Sequence, residues 1–110
     1  MRKSRHTPGF SVRRTAPGEV RARGDIDVLT APELKAALLE EASLTDRPLA
    51  LDISDVPFID SSGLSVLFQV IKGLHRDLVL LHPSRGVERM LRITGADRFP
   101  GLRILFSEAA

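Results

Sequence analysis

Asp60, Ser61, Ser62, Gly63 and Leu64 stand in direct succession. One carboxylate and two hydroxyls therefore lie between an apolar run at residues 49–53 and an apolar, helix-periodic run at residues 64–74. A strand-to-helix junction of that kind falls at the carboxyl end of a strand, where open α/β sheets present their functional groups. A serine in the first turn of a helix meets free backbone N–H groups and the positive end of the helix dipole. That setting tolerates an added negative charge, so the chemistry on offer is modification of a hydroxyl. Asp and Ser also cap helices at such junctions without further function.

Other chemistries find less support. Asp25, Asp27, Asp52, Asp55 and Asp60 could suggest a magnesium site of the receiver type. Such a site needs a basic residue near the last strand, and Lys3, Lys35 and Lys72 all lie elsewhere in sequence. The acids read as caps and solvated loop residues. His6, His75 and His82 lack metal-ligand spacing. There is no cysteine and no Gly-x-Ser-x-Gly elbow, which speaks against a thiol or serine hydrolase. Gly86 and Gly95 are too isolated for a phosphate-binding loop. No metal and no cofactor is expected.

The elements that must position the junction follow from periodicity and breaks. Phe10 and Val12 alternate with polar neighbours, as do Val20 and Ala22. Between them Ala16-Pro17-Gly18-Glu19 places Pro and Gly at the two central positions of a type II turn. The result is an N-terminal antiparallel hairpin with Arg21 and Arg23 facing solvent. Thr30-Ala31-Pro32-Glu33 opens a first helix, with Thr30 as cap and Glu33 completing a capping box. Leu34, Ala37, Leu38 and Ala42 form its apolar stripe. A strand covers residues 49–53.

The second helix starts at Ser61 or Ser62, and Leu64, Leu67, Phe68 and Ile71 face the core. Ser62, Val66 and Gln69 are expected opposite them, with Gly73 weakening the helix end. Leu78 to Leu81 reads as a buried strand. Ser84 caps a third helix with Val87, Met90, Leu91 and Thr94 on one face, stopped by Gly95. Residues 102–106 form a last strand. The fold class is α/β: a mixed, mostly parallel sheet of four to five strands, an N-terminal antiparallel hairpin and about three helices.

A chain of 110 residues is one domain. Its first 14 residues hold Arg2, Lys3, Arg5, Arg13 and Arg14 and no acid, so the net charge of +2 conceals a mildly acidic remainder. Residues 1–8 read as a flexible basic tail and residues 9–110 as the folded domain. With a mildly acidic folded part, no Trp or Tyr and five scattered Phe, direct nucleic-acid binding is not expected. No apolar run is long enough for a signal sequence or a membrane span, so a cytoplasmic location is expected.

Three motifs resemble the STAS domain, specifically the small stand-alone anti-sigma factor antagonists of bacteria. They are Gly24-Asp25-Ile26-Asp27 with Thr30, Asp60-Ser61-Ser62-Gly63-Leu64, and the stretch from Pro83 to Gly95 with Val87, Leu91 and Thr94-Gly95. The likeness covers about residues 10–106. It implies a protein switch and not an enzyme. The unphosphorylated form would bind an anti-sigma factor of the serine-kinase type and release the sigma factor. Phosphorylation of Ser61, with Ser62 as second candidate, would switch it off, and a PP2C-type phosphatase would restore it. The implied partner surface comprises Asp25, Asp27, Asp60, Ser61, Ser62, Ser65, Val66 and Gln69. The alternative within the same family is a STAS subunit of a transport or signalling complex that is never phosphorylated. Two departures stand out: many members carry a further C-terminal helix after the last strand, and the basic start is extra.

Overall fold

The structure is a computed structural model that describes residues 7–106. The strands are β1 (Ser11–Ala16), β2 (Glu19–Arg23), β3 (Leu49–Asp55), β4 (Leu78–Leu81) and β5 (Leu102–Leu105). The helices are α1 (Ala31–Ala42), α2 (Ser61–Leu74) and α3 (Arg85–Thr94), with a 3-10 turn at Ala96–Arg98. The sheet runs in chain order, β1-β2-β3-β4-β5. β1 pairs with β2 antiparallel, and every later neighbour is parallel. The α/β class, the hairpin and the three helices agree with the sequence reading. Residues 1–6 of the basic tail expected over residues 1–8 lie outside the described residues, and at its end the Thr7 carbonyl accepts the Phe10 N–H at 3.1 Å in a turn.

Strand alternation builds the core. Val20, Ala22, Leu49, Leu51, Ile53, Leu78, Leu80 and Leu102 are buried, and their neighbours in sequence are not. The parallel register aligns them: Val20 beside Leu51, Leu51 beside Leu80, Leu78 beside Leu102. These side chains share one face because strand side chains alternate with period two. A sheet in chain order with right-handed crossovers places all its helices on that one face. Leu34 and Leu38 of α1, Leu64 and Leu67 of α2, and Val87 and Leu91 of α3 close over it. Each fully buried aliphatic side chain stabilises the fold by roughly 1.5–3 kcal/mol. Phe68 of α2 stacks on Phe99 at 4.1 Å between ring centroids.

Turns and ends follow local chemistry with some corrections. Gly18 has φ +82°, the left-handed position that the turn between β1 and β2 demands. Ser84 caps α3 by accepting the Val87 N–H, and Gly95 ends it at φ 77°. As expected, α2 ends at Leu74, just past Gly73, and His75 takes the left-handed cap position at φ 53°. β5 ends at Leu105, one residue short of the expected Phe106.

The capping box at α1 does not form. Thr30 makes no cap hydrogen bond to the helix. Its hydroxyl is buried, accepts the Asp27 N–H at 2.9 Å and donates to the Asp25 carbonyl at 2.8 Å. In the loop before the helix, Asp27 Oδ1 accepts the N–H groups of Leu29 and Thr30 at 3.0 and 3.1 Å, and no side chain caps α1. The preceding loop curls back far enough for a carboxylate to reach those amides, and the threonine is drawn into the loop interior.

Candidate functional site

The junction at the carboxyl end of β3 is held by a two-residue stitch. Ile26 and Ile59 form a lone parallel bridge beyond the ends of β2 and β3. The Ile26 N–H donates to the Phe58 carbonyl at 2.9 Å, and the Ile26 carbonyl accepts from the Asp60 N–H at 3.1 Å. Both isoleucine side chains are buried. The stitch ties the loop carrying Asp25 and Asp27 to the residue that begins α2.

Asp60 then starts the helix. Its backbone is extended, and its Oδ1 accepts the N–H groups of Ser62 at 2.8 Å and Gly63 at 3.1 Å. This is the Asp N-cap arrangement, which satisfies two amides the helix cannot pair itself. Gly63 is required for steric reasons: a Cβ there would lie 2.6 Å from Ile26 Cγ2 and 2.7 Å from Ile59 Cγ1. The glycine lets the first turn of α2 sit directly on the stitch.

Ser61 is the first residue of α2 and is exposed. Ser62 is half-buried, Ser65 is exposed, and Gln69 is exposed. Gln69 accepts from Lys35 Nζ at 2.9 Å and donates to Ser65 Oγ at 3.1 Å, which links α1 to α2 across the surface. Between these helices runs an open groove of about 540 Å³. Ser61, Ser62, Ser65, Val66 and Gln69 line its α2 side, while Val28, Ala31, Pro32 and Lys35 line the other. Five of the eight residues expected at the surface therefore meet in one place.

The three aspartates do not line the groove. Asp27 and Asp60 turn their carboxylates onto backbone amides, and Asp25 is exposed beside them. Val66 is a correction: it is only 7% exposed and belongs to the core. It was expected on the solvent side of an amphipathic helix, but α1 packs alongside α2 and covers that side. Val66 contributes to the groove as its floor.

Val28, Leu29 and Phe58 were missed. They are 67%, 69% and 46% exposed, and they sit on the two loops joined by the Ile26–Ile59 stitch. Val28 of this exposed apolar rim lines the groove with Ser61, and large exposed apolar side chains are a common mark of partner contact. The signal for Val28 and Leu29 was an apolar pair between Asp27 and Thr30, which a helix or strand pattern does not explain. Among the described residues no cluster of three or more His, Asp or Glu side chains could hold a metal ion. No helix among them is long and apolar enough to cross a membrane.

The family model of the STAS domain matches residues 11–109 of this chain. The chain belongs to the STAS domain family. A similar protein is the anti-sigma-B factor antagonist of Staphylococcus aureus, 31% identical over 80 residues that cover 70% of this chain and 74% of that one. An anti-sigma factor antagonist from Mycobacterium paratuberculosis superposes on this STAS fold with a TM-score of 0.67 at 28% identity, over 88% of both chains. A Thermotoga maritima structure shares the STAS fold at a TM-score of 0.71 and 24% identity, over 90% of this chain and 87% of that one.

Proposed function

We propose that this STAS domain is an anti-sigma factor antagonist controlled by phosphorylation of Ser61. In this reading the unmodified form docks an anti-sigma factor of the serine-kinase type through the α1–α2 groove and the apolar rim, and so frees a sigma factor in the cytoplasm. The kinase transfers phosphate to Ser61 and ends the complex, and a PP2C-type phosphatase resets it. The chain itself catalyses nothing. The relatives' names support the class of partner. The observation that carries the switch is an exposed Ser61 at the edge of the groove, beside a cap whose carboxylate already holds the Ser62 and Gly63 amides.

Because Asp60 occupies those amides, a phosphate on Ser61 has no free amide pair to fold onto and stays at the surface. It adds roughly −1.5 to −2 charge. Asp25, Asp27 and Asp60 are on the same loops, so the modification deepens an existing acidic edge. Unit charges about 4 Å apart at an effective dielectric near 20 interact by about 4 kcal/mol. Half of that weakens binding roughly 30-fold. Exclusion is thus electrostatic and steric, and the fold need not change.

The test is intact-mass analysis after incubation with the serine-kinase-type anti-sigma factor and ATP. One phosphate is expected on wild type and on Ser62→Ala, and none on Ser61→Ala. Phosphate mapped to another residue, or none at all, sinks the reading. Backbone amide spectra of Ser61→Asp should match wild type beyond the α2 start; global shifts would argue for a conformational switch instead.

A further inference from the structure

The sheet face away from the helices carries a basic concavity at β1 and β2. The antiparallel register sets Arg13 opposite Arg21 and Ser11 opposite Arg23. All four side chains point away from the helices, because Val12 and Val20 point toward them. Together with Asp55 they line a hollow of about 250 Å³. Asp55 holds Arg21 through an ion pair at 2.6 Å. Arg13 and Arg23 have no carboxylate partner among the described residues. By contrast, Arg14 on the other face is paired with Glu41. Like charges directly opposed across a strand pair are destabilising, so the Arg13–Arg21 juxtaposition works against the hairpin unless something negative occupies it.

We propose that this hollow is an anion site for a compact phosphate monoester, separate from Ser61 and independent of its modification. Guanidinium forks bind phosphate oxygens in pairs with fixed geometry. Arg13 and Arg23 supply two forks that are not engaged in an ion pair among the described residues, and the Ser11 hydroxyl supplies a further donor. The hollow is smaller than the roughly 300 Å³ at which sites for drug-sized ligands begin. It therefore suits a phosphate on a small body and excludes a whole nucleotide. Asp55 is the opposing feature: its carboxylate orients Arg21 but repels the ligand.

The full chain is titrated with inorganic phosphate at constant ionic strength, and amide and arginine Nε–H shifts are followed by NMR. Saturable shifts confined to Ser11, Arg13, Arg21 and Arg23 are expected. Arg13→Ala should weaken binding about ten-fold without lowering the melting temperature of the ligand-free protein. Asp55→Asn should tighten binding several-fold, a direction that general charge screening would not produce. Ser61→Ala should bind phosphate like wild type. Non-saturable shifts spread over basic residues elsewhere would overturn the site. So would saturable binding of a glutamate-rich peptide with no response to phosphate, which would mark a carboxylate-binding surface.

Discussion

Ile26 and Ile59 lie side by side as a single parallel bridge, and that one contact decides where Ser61 stands. β2 and β3 have ended as regular strands before it. The bridge prolongs their alignment by one step and fixes both the Asp27 loop and the Asp60 cap. The Ser61 hydroxyl is thus presented by a corner whose buried side chains are apolar and whose polar groups are satisfied locally.

Gly63 should be intolerant of a side chain. A methyl group there would meet Ile26 and Ile59 at distances no real Cβ adopts. Gly63→Ala should cost roughly 1–3 kcal/mol, the range for overpacking a core, despite alanine's better helix propensity. Urea denaturation measures this, and a neutral or stabilising result would contradict the close approach.

Asp60 can be separated into cap and charge. Asp60→Ala removes the acceptor of the Ser62 and Gly63 amides and should cost about 1 kcal/mol. Asp60→Asn keeps an acceptor oxygen and should stay within about 0.5 kcal/mol of wild type. Thermal or chemical denaturation of the two variants checks this order, and equal losses would show that the cap geometry matters less than the charge.

Glu41 fastens the hairpin to α1. It is 3% exposed, and its Oε2 accepts the Gly18 N–H at 2.8 Å and Arg14 Nε at 3.1 Å. Glu41→Ala would leave a buried N–H without a partner and should cost about 2–3 kcal/mol. Arg14 is half-exposed on its side chain, so Arg14→Ala should cost no more than about 1 kcal/mol. A larger loss from the arginine than from the glutamate would refute this account.

The apolar rim should matter to binding and not to folding. Replacing Val28, Leu29 and Phe58 together by alanine removes mainly exposed surface, Phe58 being the most covered of the three at 46% exposed. The melting temperature should change little, while affinity for the anti-sigma factor should fall at least about ten-fold, as for apolar anchors at an interface centre. Calorimetric titration against the partner measures it. Unchanged affinity would move the docking surface away from these loops.

The sequence by itself determined the order of elements, the hairpin turn, the serine cap of α3 and the Asp-Ser-Ser-Gly start of α2. Each of these depends on residues close in the chain: a periodicity of two or of 3.6, a Pro-Gly pair, an acceptor two or three residues before an amide. Tertiary structure alone decided the rest. Thr30 lost its cap because a folded-back loop offered its hydroxyl better-placed partners. Val66 passed from surface to core because α1 lies beside α2, and a single helix pattern cannot say what covers its second side. Glu41, a charged residue at an expected surface position, is buried because the hairpin turn brings an amide and a guanidinium to it from 23 and 27 residues away. Periodicity records which face of an element is apolar, whereas the partner of each polar group depends on chain segments that meet only once the fold has closed.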